Sequence, residues 1–186
     1  MILKRQYHFH NKGNTADRDD RVIRRGKKTP ENSTNILFRS YSTGSLAEEK
    51  MPICGIEMFG SEVILALLDG SKTSFSHIDI EPRKILLSDD ENADEVKAFR
   101  DSLFAFFREN KVDLIVIKKR GKKGDYAGGP IGFKIEGIIQ LYEDCPIKLA
   151  APQTISATQK KHNPQRPDTL RKYQHTAFET AFSVMK

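Results

Sequence analysis

The chain has 186 residues, 38% hydrophobic and 30% charged, enough for one domain of ordinary size, or one domain with a tail, and too few for a large multidomain enzyme. Its longest apolar runs, near residues 63–68 and 114–117, fall far short of the roughly 20 residues a membrane-spanning helix needs, so a soluble protein with no membrane partner is expected. Cys54 and Cys145 are too few for a disulfide framework or an all-cysteine zinc site and predict a reducing, cytoplasmic setting.

The net charge of +6 is unevenly spread. Residues 1–50 hold eleven Lys or Arg against six Asp or Glu, and the remainder is close to neutral. Those fifty residues show neither a helical nor a strand period and are predicted to be disordered. Arg21, Arg24, Arg25, Lys27 and Lys28 would suit a basic arm for nucleic acid. Alternatively, Glu48-Glu49-Lys50-Met51 is encoded by a purine-rich stretch ending in ATG, like a bacterial ribosome-binding site beside a start codon. On that account, which we prefer, Met51 begins the native protein and residues 1–50 are not part of it.

From Met51 the pattern becomes regular. Residues 53–58 form a strand, Gly60 a turn, and residues 62–68 a buried strand rich in branched side chains. Asp69-Gly70 is a turn signal, more turn chemistry than catalysis. A third strand follows near residues 73–80, with Pro82 at an edge, bulge or strand end. His77 on that strand is expected to be a surface or satisfied histidine. Asn92 and Glu95 resemble a capping box, and Val96, Phe99, Leu103, Phe106 and Phe107 share one face of a helix over residues 93–109. Residues 112–117 are a short apolar strand buried on both faces. Residues 132–143, with Ile135, Ile138, Ile139 and Tyr142 on one stripe, form a second helix, and residues 147–151 a fifth strand. A polar stretch containing Pro152, Pro164 and Pro167 leads to Asp168 as N-cap of a last helix, whose apolar face carries Leu170, Tyr173, Ala177, Phe178, Ala181 and Phe182. The result is an α/β domain over residues 51–186, a mixed five-stranded sheet flanked by helices in the order β-β-β-α-β-α-β-α.

That order, with Gly55-Ile56-Glu57 ending the first strand, Ile135-Glu136-Gly137 on the second helix and Cys145-Pro146 through Pro152-Gln153 around the fifth strand, resembles the ribonuclease H-like fold, in particular RuvC-type crossover-junction resolvases. Cys54-Gly55-Ile56-Glu57, Ile117-Lys118-Lys119-Arg120, Ala127-Gly128-Gly129, residues 133–137 and Pro152-Gln153-Thr154 look more closely like a small bacterial family of unknown function. The resolvase resemblance implies a phosphodiesterase using Mg2+ or Mn2+, because two ions stabilise the attacking and leaving oxygens. It carries Glu57 onto the first-strand acid and makes Glu57, Glu136 and Glu179 the candidate catalytic residues. His175 and Glu179, four apart on one helix face, join Glu57 as candidate metal ligands.

One position departs from the resolvase pattern. Where an Ile-Glu pair follows the fourth strand, this chain has Ile117-Lys118, and an ammonium beside Glu57 would neutralise the carboxylate and repel a divalent cation. Lys118, Lys119, Arg120, Lys122 and Lys123, followed by a Gly-rich turn with Tyr126, leave a strand end where such sheets hold ligands. They predict contact with nucleic acid, DNA or RNA, branched or hybrid. Two function classes are therefore expected: a resolvase-like nucleic-acid-binding protein with an altered metal site, or a non-catalytic structural or interaction module built on a Glu57–Lys118 ion pair.

Overall fold

A computed structural model of the chain describes residues 51–122 and 128–186. The predicted disorder of residues 1–50, and the candidate contacts Lys123 and Tyr126, lie outside the described residues. The elements are β1 (Ile53–Phe59), β2 (Glu62–Ser71), β3 (Ser74–Ile78), β4 (Lys84–Leu86), α1 (Ala93–Glu109), β5 (Leu114–Lys118), α2 (Pro130–Ile139), β6 (Ile147–Ala150), α3 (Pro152–His162) and α4 (His175–Val184), the last entered through one 3-10 turn at Lys172–Gln174.

The strands form one sheet in the order β3-β2-β1-β5-β6, with β4 also paired to β2. β1 runs antiparallel to β2 and parallel to β5, which is parallel to β6. Side chains alternate between two covered faces, which is why β1, the first half of β2 and β5 read as nearly continuous apolar runs. Cys54, Ile56, Met58, Leu65, Leu67, Ile115 and Ile117 pack with the buried residues of α1 and α2. On the other face Ile64, Ala66 and Leu68 pack with Ala177, Phe178, Ala181 and Phe182 of α4, while Val116 packs with Ile155 of α3. Among the described residues, no helix is long and apolar enough to cross a membrane.

Four expectations need correction. The sheet has six strands, not five: Lys84–Leu86 is too short for an alternation to show, and pairing with β2 alone defines it. Asp69 and Gly70 lie inside β2, which runs on to Ser71, and the reversal falls at residues 72–73. The stretch after Pro152 is a helix. Its polar character hid it because only Ile155 is buried, although Pro152 at its first turn is a helix-start signal. The last helix begins at His175 rather than after Asp168. Gln174 fixes the turn before it by accepting from the Arg171 N–H at 3.0 Å and donating to the Leu65 carbonyl at 2.7 Å. Smaller shifts accompany these: α2 spans Pro130–Ile139, earlier than predicted, and Tyr142 is buried just beyond its end. α1 is as predicted, capped by Asn92, whose side chain accepts from the Asp94 N–H.

Gly55 sets the distance between α4 and the sheet. A Cβ there would lie 2.0 Å from the Ala177 carbonyl oxygen and 2.8 Å from the Ala181 Cβ, so only glycine lets the helix backbone rest directly on β1. Gly55→Ala is expected to lift α4 and cost about 1–3 kcal/mol, the usual range for overpacking a core. A shift of the urea midpoint without a change in slope checks it.

Candidate functional site

Strand register assembles the site. Because Ile56 pairs with Ile117, Glu57 and Lys118 are neighbours at the C-terminal ends of β1 and β5, on the sheet face that carries α3 and α4. Continued across the sheet, the same row reads Lys84, Ile64, Glu57, Lys118, Ala150. The Lys118 ammonium donates to Glu57 Oε1 at 3.1 Å. The two side chains are 36% and 21% exposed, so the pair is half-buried and faces a cleft rather than closing the core.

That cleft has a volume of about 310 Å³ and is lined by Glu57, Met58, Lys118, Lys119, Arg120, Gly121, Gly128, Gly129 and Pro152. Two helices start on its wall: Gly129 is the N-cap of α2 and Pro152 the first residue of α3, and neither start has a side-chain cap. The partly positive N-terminal ends of both helices favour an anion in the cleft, as do the lysines.

The cations of the basic run have separate tasks. Lys118 is held by Glu57. Arg120 donates to the Met58 carbonyl, and its guanidinium fills the space above Gly132, where a Cβ would sit 1.9 Å from Nη1. Arg120 thus ties the segment after β5 to the end of β1 and the first turns of α2. Lys119 pairs through its backbone with the Ala150 carbonyl at 2.8 Å, leaving its side chain exposed, as is that of Lys122. Among the described residues, neither lysine is in an ion pair. The Gly128 N–H donates to the Gly121 carbonyl at 2.9 Å and closes the base of the loop.

The other candidates lie outside the cleft wall. Glu136 is half-buried on α2, the helix of the opposite layer. Glu179 accepts from Arg166 Nη2 at 2.7 Å, one helical turn beyond His175. Burial, and after it the Arg166 charge, hold the His175 imidazole below its ordinary pKa. His77 Nδ1 lies 2.8 Å from Thr169 Oγ1 while its Nε2 is buried without a hydrogen-bond partner, and its pKa is lowered mainly by burial. Burial raises both thiols, Cys145 to about 11. Two of the three candidate carboxylates therefore already hold a cation of the protein itself. Among the described residues no three His, Cys, Asp or Glu side chains converge as metal ligands, and the residues present do not fit a pair of divalent ions. Arg166, Gly132 and the two helix starts were missed in the sequence; Pro130 and Pro152 at first-turn positions were the signal for the starts.

Residues 51–184 match the family described as Protein of unknown function (DUF3010). The chain belongs to this family. Among solved structures it resembles Thermus thermophilus RuvC, with a TM-score of 0.53 and 8% identity over 72% of this chain and 92% of that one. T. thermophilus RuvC in complex with Holliday junction substrate gives 0.50 and 9% over the same shares. No curated protein matches the chain. At such identities the likeness establishes the fold, a ribonuclease H-like α/β sheet flanked by helices.

Two outcomes follow from this geometry. Gly132→Ala is expected to displace the Arg120 guanidinium from the Met58 carbonyl and cost about 1–2 kcal/mol, measured by chemical denaturation. His77 and His175 both have folded pKa values below the ordinary 6.5, so the folded state resists their protonation. Their contribution is fully present above pH about 6.5 and is lost as the pH falls below it. Thermal midpoints should drop between pH 7 and 5, and His175→Gln should flatten that drop.

Proposed function

We propose that this chain binds nucleic acid through the cleft at the ends of β1 and β5, and that the cleft is an altered form of the fold's metal-dependent phosphodiesterase site. The Lys118 ammonium on Glu57 carries the proposal: a positive side chain stands where a divalent cation would need an unpaired carboxylate. A phosphate entering the cleft meets Lys119, whose side chain is exposed, the two helix starts, and the N–H groups of Lys118 not given to Glu57, while the exposed Lys122 follows the cleft residue Gly121 and adds positive charge beside it. Glu57, Glu136 and Glu179 are then remnants or replacements of an acidic set. Mg2+ or Mn2+ would be required only for a cleavage reaction that this charge arrangement disfavours.

The ion pair taken alone favours the second class, a non-catalytic structural or protein-interaction module. The two classes part at the exposed lysines, which an ion-pair scaffold does not need. A pair with this much exposure also contributes less than a buried one, so Lys118→Ala is expected to cost about 1 kcal/mol or less rather than the roughly 3–5 of full burial.

Fluorescence anisotropy of the full chain with a four-way DNA junction, an RNA–DNA hybrid and a single strand is the decisive measurement. Affinity should fall as salt rises, stay unchanged in EDTA, and lose about two units of salt slope in the Lys119→Ala, Lys122→Ala double variant. Absence of binding to all three at low salt refutes the proposal. In parallel, millimolar Mn2+ should leave the wild-type thermal midpoint in place and raise that of Lys118→Glu, which removes the internal cation and adds a carboxylate. A metal-dependent rise in the wild type contradicts the altered-site half of the proposal.

A further inference from the structure

Beside the cleft, on the same face of the sheet, lies a second surface of different chemistry. Phe59 follows the cleft residues Glu57 and Met58 and ends β1, just before the turn at Gly60. Strand alternation puts it on the face of Glu57, yet its side chain is 73% exposed. Register aligns Phe59 with Glu62 and Glu62 with Leu86, which is 54% exposed. Tyr173, 43% exposed, lies nearby with the Lys84 ammonium 4.5 Å from its ring centroid. Lys84 also holds Glu62 at 2.8 Å, so the acid within this patch is neutralised and does not repel a phosphate chain. Exposed aromatic area adjoining a cationic cleft suits a ligand that carries anions and flat rings in alternation.

We infer that Phe59 stacks against an unpaired base of a nucleic acid whose phosphate occupies the adjoining cleft, which makes the ligand class single-stranded or branched rather than continuous duplex. The inference rests on the nucleic-acid reading of the cleft. In a continuous duplex the bases are stacked on one another and offer no free ring face at the backbone, whereas an unpaired base does, and an aromatic side chain accepts any base. A second copy of this chain suits the patch less well: a self-complementary contact through Phe59 would bring two cationic clefts toward each other.

The test uses the full chain and two labelled probes: a blunt DNA duplex, and the same duplex with a single-stranded overhang carrying 2-aminopurine beside the junction. The wild type should prefer the overhang probe by about tenfold or more and quench the 2-aminopurine. Phe59→Ala should abolish the preference and the quenching, and Phe59→Trp should keep both. The Lys119→Ala, Lys122→Ala double variant should weaken both probes alike. Because Phe59 is exposed, an unchanged thermal midpoint is expected for its variants. Equal wild-type affinity for the two probes, with Phe59→Ala indistinguishable from wild type, overturns the stacking role and leaves the cleft standing. No binding to either probe overturns the cleft reading itself. Self-association in sedimentation that Phe59→Ala abolishes, with quenching unaffected, assigns the patch to a second copy instead.

Discussion

The contact between Lys118 and Glu57 joins the strand register to the chemistry of the cleft. β1 and β5 are locked by apolar residues on both faces, and shifting either strand by one residue would turn its own member of the Glu57–Lys118 pair to the other side of the sheet and part the two. With the register fixed, an acid and a base must meet at the ends of two central strands, at 3.1 Å. The acid is satisfied without an external cation, while the base keeps donors for an anion. Arg166 repeats the arrangement with Glu179 on α4. The fold thus answers two acidic positions with its own cations, the opposite of the charge excess that two divalent ions require.

A run of basic residues is easily taken as a uniform binding surface, but here its members differ. Lys118 is committed to Glu57, and Arg120 to the Met58 carbonyl and the space over Gly132. Arg120 suits that task because a planar guanidinium can lie flat against a backbone that has no Cβ while still donating in its own plane. Lys119 alternates outward from the strand, and Lys122 stands on the loop beyond. What is left exposed is Lys119 beside two helix starts, with Lys122 next to the cleft residue Gly121, an arrangement suited to phosphate without dictating sequence.

The two layers of helices divide the molecule. α1 and α2 cover one face with the larger core, while α4 lies close on the other because Gly55 lets it, leaving the strand ends past it open. The cleft lies at those strand ends, and the exposed Phe59 ends β1 two residues beyond Glu57. An α4 held farther out by a larger side chain at position 55 would loosen the packing of Phe178 and Phe182 against Phe75.

Elements with strong periodicity were legible from the residues alone: α1 with its Asn92 cap, the apolar core of β2, and β5. So was the opposed charge at positions 57 and 118, because the resolvase-like pattern sets those two positions beside one another. β4 was not legible because three residues carry no period, nor α3 because one buried isoleucine makes no stripe. The start of α4 was misplaced because Leu170 is buried outside any helix, where it imitates a helical repeat. Sequence could list Glu136, His175 and Glu179 but not their company, which depends on contacts between residues far apart in the chain. Packing alone decided that Arg166 reaches Glu179 and that Arg120 turns inward over Gly132, since side-chain partners are chosen by three-dimensional proximity and not by spacing along the chain.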